Sequence, residues 1–204
     1  QAHLFYKIKS AEEMQNLFNG PHPDYANLGS TPDTLRRMKE EYQLVPEIMA
    51  QVESAYGPLD WRLPNTYALY WAWRARTVVT DTLSSLKSER MLYQGAASVF
   101  LEGRLDFDPG PRTYSVHPRP ESYANAVRTF EHVLQRHPDE SIRTAYMNFL
   151  TRAVRVFHEL NNDPEARRVH GFMKSRFAPL PIPDFEQIIS LPDEKPLATP
   201  GESR

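Results

Sequence analysis

The sequence predicts an all-α protein of antiparallel helix pairs stacked side by side, as a solenoid or a bundle, with one long irregular insert and a proline-rich C-terminal extension. Three observations carry this expectation. Apolar residues recur at alternating spacings of three and four through most of the chain, which marks one face of an α-helix. Ser, Thr, Asp or Pro stands before these runs, and Gly, Asn or Pro stands after them, as helix ends require. Strand signals are nearly missing: no Asn-Gly or Asp-Gly turn joins alternating apolar runs, and β-branched residues form no period-2 pattern.

Residues 1–30 form an N-terminal segment. The chain opens on Gln1 and not on Met, as expected after processing, trimming or a further segment. Ala2, Leu4, Phe5, Tyr6 and Ile8 are apolar and are interleaved with Lys7 and Lys9. Two readings stand: the exit of a membrane anchor with the lysines at headgroup level, or a first helical turn lying on the core. Ser10 with Glu13 makes a capping box for a short helix ending near Asn19-Gly20, and Pro21, Pro23 and Gly29 make a loop.

Residues 31–178 form the helical domain. Thr31 caps a helix with Pro32 in its first position. Leu35, Met38, Tyr42, Val45, Met49, Val52 and Tyr56 continue a single apolar seam. The ring of Pro46 should clash with the carbonyl of Tyr42, yet the seam keeps register, which predicts one kinked helix or two nearly collinear ones. Gly57-Pro58 ends it. Pro64 opens the next helix, with Tyr67, Tyr70, Trp71 and Val78 on one side. Asp81 caps a further stretch carrying Leu83, Leu86, Leu92, Ala96, Val99 and Phe100. Residues 104–120 break the pattern with Pro109, Gly110, Pro111, Pro118 and Pro120, and such an insert is usually functional or pinned against something. Three clear amphipathic helices follow. The first holds Tyr123, Ala126, Val127, Phe130, Val133 and Leu134, and the second Ile142, Ala145, Tyr146, Phe149, Ala153, Val156, Phe157 and Leu160. Ala166, Val169, Met173 and Phe177 line the third.

Residues 179–204 form the extension. Six of its 26 residues are Pro, and only Phe185 to Ile189 can make a turn of helix. Such a segment is expected to order by lying on a surface, because polyproline-like chain loses little entropy on docking.

Composition narrows function. The 204 residues carry 24 Lys+Arg against 26 Asp+Glu, a net charge of −2, which lacks the basic footprint of nucleic-acid binding. With no Cys, thiolate catalysis, disulfides and Cys-ligated metals are excluded. No apolar run approaches the ~20 residues of a membrane helix. Eighteen of the 24 basic residues are Arg. Either a GC-rich genome or use in interfaces accounts for that bias, since Arg is enriched where proteins meet.

The most unusual segment runs from Tyr56 to Trp73. All three Trp of the chain fall within its last 13 residues, and it holds six of the 23 aromatic residues. On a helix Trp71 and Trp73 lie ~200° apart, so both cannot face one core. Tyr56, Trp61, Arg62, Tyr70, Trp71, Trp73 and Arg74 are the candidate partner-binding residues, of the types that dominate binding hot spots. Two other readings stay open. Trp61 could plug a groove between helices while Asp60 caps the next one, or the rings could cradle a flat ligand.

No catalytic, cofactor or metal site is read from the sequence. His132, His137 and His158 lack the i, i+4 spacing of a two-histidine face. Asp106 and Asp108 lack the fuller ligand set of a calcium loop. Asp139 and Glu140 suit a helix N-terminus. No GxSxG, P-loop or GxGxxG is present.

Ala126, Phe130, Val133 and Pro138 stand at relative positions 0, 4, 7 and 12, and the helix pair from Ser141 to Phe177 has Phe157, Ala166 and Pro179 near matching slots. Over residues 88–179 the chain resembles a tetratricopeptide-repeat protein, with His170 where an aromatic is usual and no opening Trp-Leu-Gly. The resemblance implies stacked α-hairpins that bind other proteins on a concave surface, without catalysis. The expected function is therefore a non-catalytic interaction module or accessory subunit of a larger assembly. Its partners would be other protein chains, not nucleic acid, and a membrane only through an N-terminal anchor. The competing expectation is a ligand-binding or hydrolytic helical domain with its site beside Trp61–Trp73. A partner covering the aromatic cluster supports the first; a closed pocket with converging, perturbed titratable groups supports the second.

Overall fold

Pro46 begins a helix instead of interrupting one. The computed structural model describes Arg36 and residues 40–78, 82–108, 110–111 and 113–191, and within them helix α1 runs Pro46–Tyr56 with Pro46 in its first turn. The chain just before it is not helical: Gln43 has a φ of 54° and Val45 is extended at φ −100°, ψ 119°. Of the two expectations, the single kinked helix across Pro46 is thereby corrected. Proline forces the preceding residue out of the helical region and is tolerated at a helix start, where its missing N–H costs nothing. The capping box at Ser10, the loop to Ser30, the cap at Thr31 and Asp81 all lie outside the described residues, as do the segment at Ala2–Ile8 and the chain from Pro192 onward.

Among the described residues, seven α-helices and one two-stranded sheet follow one another. The fold is all-α, as the periodicity predicts, and the chain divides into two compact units, residues 1–129 and 130–204.

In the first unit α1 is followed by α2 (Pro64–Val78) and α3 (Thr82–Glu102), and α2 packs chiefly on α3. Met49 and Val52 of α1, Leu69 and Ala72 of α2, and Leu92, Ala96, Val99 and Phe100 of α3 are buried. These are mostly the residues that the three-and-four spacing selects. Val78 departs from it, standing 73% exposed at the end of α2.

The insert at 104–120 is a β-hairpin, not an irregular excursion. Strands β1 (Arg104–Asp108) and β2 (Thr113–His117) pair antiparallel, Leu105 opposite Val116 and Asp106 opposite Ser115. Each strand alternates polar and apolar residues, but five residues are too short a run to outweigh the Pro and Gly between them. Asp108 Oδ1 accepts the Gly110 N–H at 2.9 Å and closes the turn, a job suited to Asp. Arg104, Asp106, Ser115 and His117 interact with one another. A short 3₁₀ turn, Pro120–Ser122, leads into α4 (Tyr123–Arg136).

The unit boundary falls inside α4. The second unit adds α5 (Glu140–Glu159), α6 (Asp163–Arg176) and α7 (Phe185–Ile189). Its core is aromatic: Phe130 stacks on Tyr146 at 4.8 Å and on Phe149 at 5.2 Å, and Tyr146 meets Phe177 edge-on. Asp139 caps α5 by accepting the Ser141 N–H at 2.8 Å, in agreement with the sequence. Leu160, expected inside, is 46% exposed.

Candidate functional site

The chain turns between α1 and α2 in seven residues, Gly57 to Leu63, and this corner is organised by two carboxylates. Glu53 sits in the last turn of α1 and is 4% exposed. One of its oxygens accepts the Leu59 N–H at 3.1 Å and the other the Trp61 indole N–H at 2.9 Å. Burial pushes the Glu53 carboxyl above its ordinary range, and the bonds from Trp61 and Leu59 and the charge of Arg119 only partly oppose this. The indole is thereby tied to α1 while its ring meets Tyr67 and Tyr70 of α2 edge-on, at 6.4 and 6.3 Å. Trp61 is 2% exposed. It plugs the corner.

Asp60, 1% exposed, faces the opposite way. Its carboxylate accepts from Arg62 Nε at 2.7 Å and Nη2 at 2.5 Å, and from the Leu105 N–H at 3.3 Å. Arg62 Nη2 in turn donates to the Leu105 carbonyl at 2.8 Å. The pair therefore satisfies both backbone groups of one β1 residue, as a neighbouring strand would. Burial alone would raise the Asp60 carboxyl; the bonds from Arg62 and Leu105 outweigh it and hold the group below its usual range. The expected capping of α2 by Asp60 takes another form: its carbonyl, not its carboxylate, accepts from the Thr66 hydroxyl at 2.8 Å.

The seven aromatic and Arg residues singled out by the sequence are not brought to one surface. Tyr56, Trp61 and Tyr70 are buried in the first unit, at 6%, 2% and 0% exposure. Tyr70 is held there because its hydroxyl accepts the Val45 N–H at 2.8 Å. Arg62 is half-buried in its pairing with Asp60. Trp71 and Trp73 diverge as the helical step requires. Trp73 leans toward α1, donating to Gln51 Oε1 at 3.1 Å and meeting Tyr56 edge-on. Trp71 points out, 41% exposed, with Tyr70 edge-on at 5.2 Å and the Arg74 guanidinium over it at 5.3 Å. Arg74 is itself fixed by the Gln43 carbonyl at 3.1 Å.

A patch therefore remains on the outer side of α2: Trp71, Arg74 and Val78, at helical spacing 0, 3 and 7, with Trp71 and Val78 exposed. Sequence reasoning missed Glu53, because an acidic residue at a helix end reads as a solvated one. Its signal was the Trp eight residues on. Among the described residues no cluster of three His, Asp or Glu could hold a metal, and no helix is long and apolar enough to cross a membrane. Comparison with protein-family models, curated proteins and solved structures finds no match.

Proposed function

We propose that the chain is a non-catalytic helical interaction module, an accessory subunit that docks on another protein through the outer face of α2. One observation carries the reading: Trp71 is left 41% exposed while its ring is clamped between Tyr70 and Arg74. A large apolar ring held rigid at the surface loses little entropy when a partner covers it, and Trp beside Arg is the usual composition of a binding hot spot. Val78, two turns further along α2 and 73% exposed, extends the apolar face. The sequence resemblance of residues 88–179 to tetratricopeptide repeats, a family that holds other proteins, favours the same reading.

The competing ligand-binding or hydrolytic reading draws on Glu53 and Asp60, two neighbouring carboxyls pushed in opposite directions. Both are buried and are engaged by indole, guanidinium and backbone groups of the corner itself, an arrangement suited to holding a loop. The test is Trp71→Ala in the full chain, purified under native conditions and analysed by mass spectrometry. The expected result is an unchanged helical circular dichroism signal with loss of a co-purifying protein that the unaltered chain retains. Retention of that protein at equal yield removes the proposal.

A further inference from the structure

The second unit ends in a short helix that packs on the helices before it. Helix α7 has five residues, too few to be stable alone in water, and only Phe185 and Ile188 of it are buried, at 4% and 0% exposure. Its backbone packs on α5, and a stripe of side chains along α6 meets its N-terminal end. Arg167, His170 and Lys174 stand at spacing 0, 3 and 7, so they share one face of that helix. The Arg167 guanidinium lies over the Phe185 ring at 4.1 Å and also reaches Glu186 at 3.5 Å. The His170 ring donates from Nε2 to the Pro183 carbonyl at 2.9 Å and meets Phe185 edge-on. Lys174 Nζ pairs with Asp184 at 3.0 Å, and His158 of α5 closes the other side of the ring at 6.2 Å.

The arrangement has the anatomy of a peptide site more than of a core. An aromatic anchor sits under a cation, flanking carboxylates meet a basic rim, and one backbone carbonyl is read by a histidine. The ionic contacts are at the exposed rim, where each is individually weak. The buried anchors are two.

We propose that the Arg167–His170–Lys174 stripe, closed by His158, is a recognition site for an acidic protein segment of the pattern Asp-aromatic-Glu-x-aliphatic, and that α7 is the chain's own copy of that ligand, seated in cis. A partner segment of this chemistry competes with α7 for the seat. Tethering gives α7 a high effective concentration, so only a segment of higher intrinsic affinity, or one delivered close by, displaces it. This site lies in the second unit and does not depend on the face of α2.

The test vacates the seat in the full chain with Phe185→Ser and Ile188→Ser together. The probe is a fluorescent synthetic peptide of residues 181–191, with a second peptide in which its residues corresponding to Asp184 and Glu186 are Lys. The proposal expects the vacated chain to bind the first peptide about tenfold or more tighter than the unaltered chain does. It also expects the charge-reversed peptide to bind about tenfold more weakly than the first. Equal binding of the first peptide to both chains, or to neither, overturns it. Loss of the helical circular dichroism signal in the vacated chain overturns it as well, because α7 is then part of the core. A measurement on the unaltered chain guards that last outcome: the Ile188 and Leu191 amides, which bond to Asp184 and Ile188, should exchange well before those of α5, and exchange as slow as that of α5 counts against the site.

Discussion

The Trp61 indole N–H donates to the Glu53 carboxylate at 2.9 Å, joining the turn after α1 to the last turn of α1 itself. The same ring meets Tyr67 and Tyr70 of α2, so the bond links α1 to α2 through Trp61. Trp71 lies ten residues beyond Trp61, on α2.

Glu53→Gln should lower stability by about 1–3 kcal/mol at neutral pH, because an amide can accept only one of the two N–H bonds that the carboxylate takes. The pH dependence has a definite sign. The native Glu53 carboxyl binds its proton more tightly than in the unfolded chain, where the ordinary value is 4.5. Its contribution is thus full below that value and is lost as pH rises above it. The stability advantage of the unaltered chain over the Gln variant should grow as pH falls from 7 toward 4.5, measured by urea unfolding. A constant difference contradicts the assignment.

Asp60 should show the opposite slope. Its carboxyl lies below the ordinary 3.8 in the native state, so its contribution is present above that value and lost as pH falls below it. The gap between the unaltered chain and Asp60→Asn should therefore close on the acid side of 3.8. A gap that widens there would show that burial, not Arg62, governs the group.

Arg62→Ala removes the guanidinium that bridges Asp60 and Leu105. It should cost about 2–3 kcal/mol, less than a wholly buried pair because Arg62 keeps 19% side-chain exposure. It should also speed hydrogen exchange of the β1 and β2 amides more than those of α3. Uniform exchange changes would mean that the hairpin is not pinned through this residue.

Two helical glycines should respond in opposite directions to alanine. A Cβ at Gly95 in α3 would stand 2.9 Å from Leu69 Cγ, whereas one at Gly171 in α6 meets nothing within 4 Å. Gly171→Ala should stabilise by about 0.5–1 kcal/mol through helix propensity, and Gly95→Ala should destabilise by about 1–3 kcal/mol through overpacking. Thermal melts of the two variants decide it.

The helices were legible because their apolar spacing survives along many turns: the buried side of α5, including Ile142, Tyr146, Phe149 and Ala153, is the side the periodicity selects. Phe185–Ile189 was legible as a single helical turn for the same reason, set between prolines. The divergence of Trp71 and Trp73 followed from the 100° step alone. The hairpin was not legible, since two five-residue alternations carry little weight against a turn dense in Pro and Gly, and its anchoring comes from Asp60 and Arg62, over forty residues away. Tyr56 and Tyr70 stood both in the apolar pattern and among the partner-binding candidates, and the sequence did not decide between the two. Aromatic type alone does not tell a hot spot from a core, and the Val45 N–H that holds Tyr70 inside depends on a backbone turn at Gln43.

Hydroxyl-radical footprinting of Trp71 addresses the docking face most directly, comparing the native assembly with the same chain purified to homogeneity. Oxidation of Trp71 should be readily detected in the isolated chain, at the level its 41% exposure allows, and should fall severalfold in the assembly while Tyr114, on the hairpin, stays equally reactive. Equal oxidation of Trp71 in both states would contradict the account and leave the outer face of α2 as bare surface.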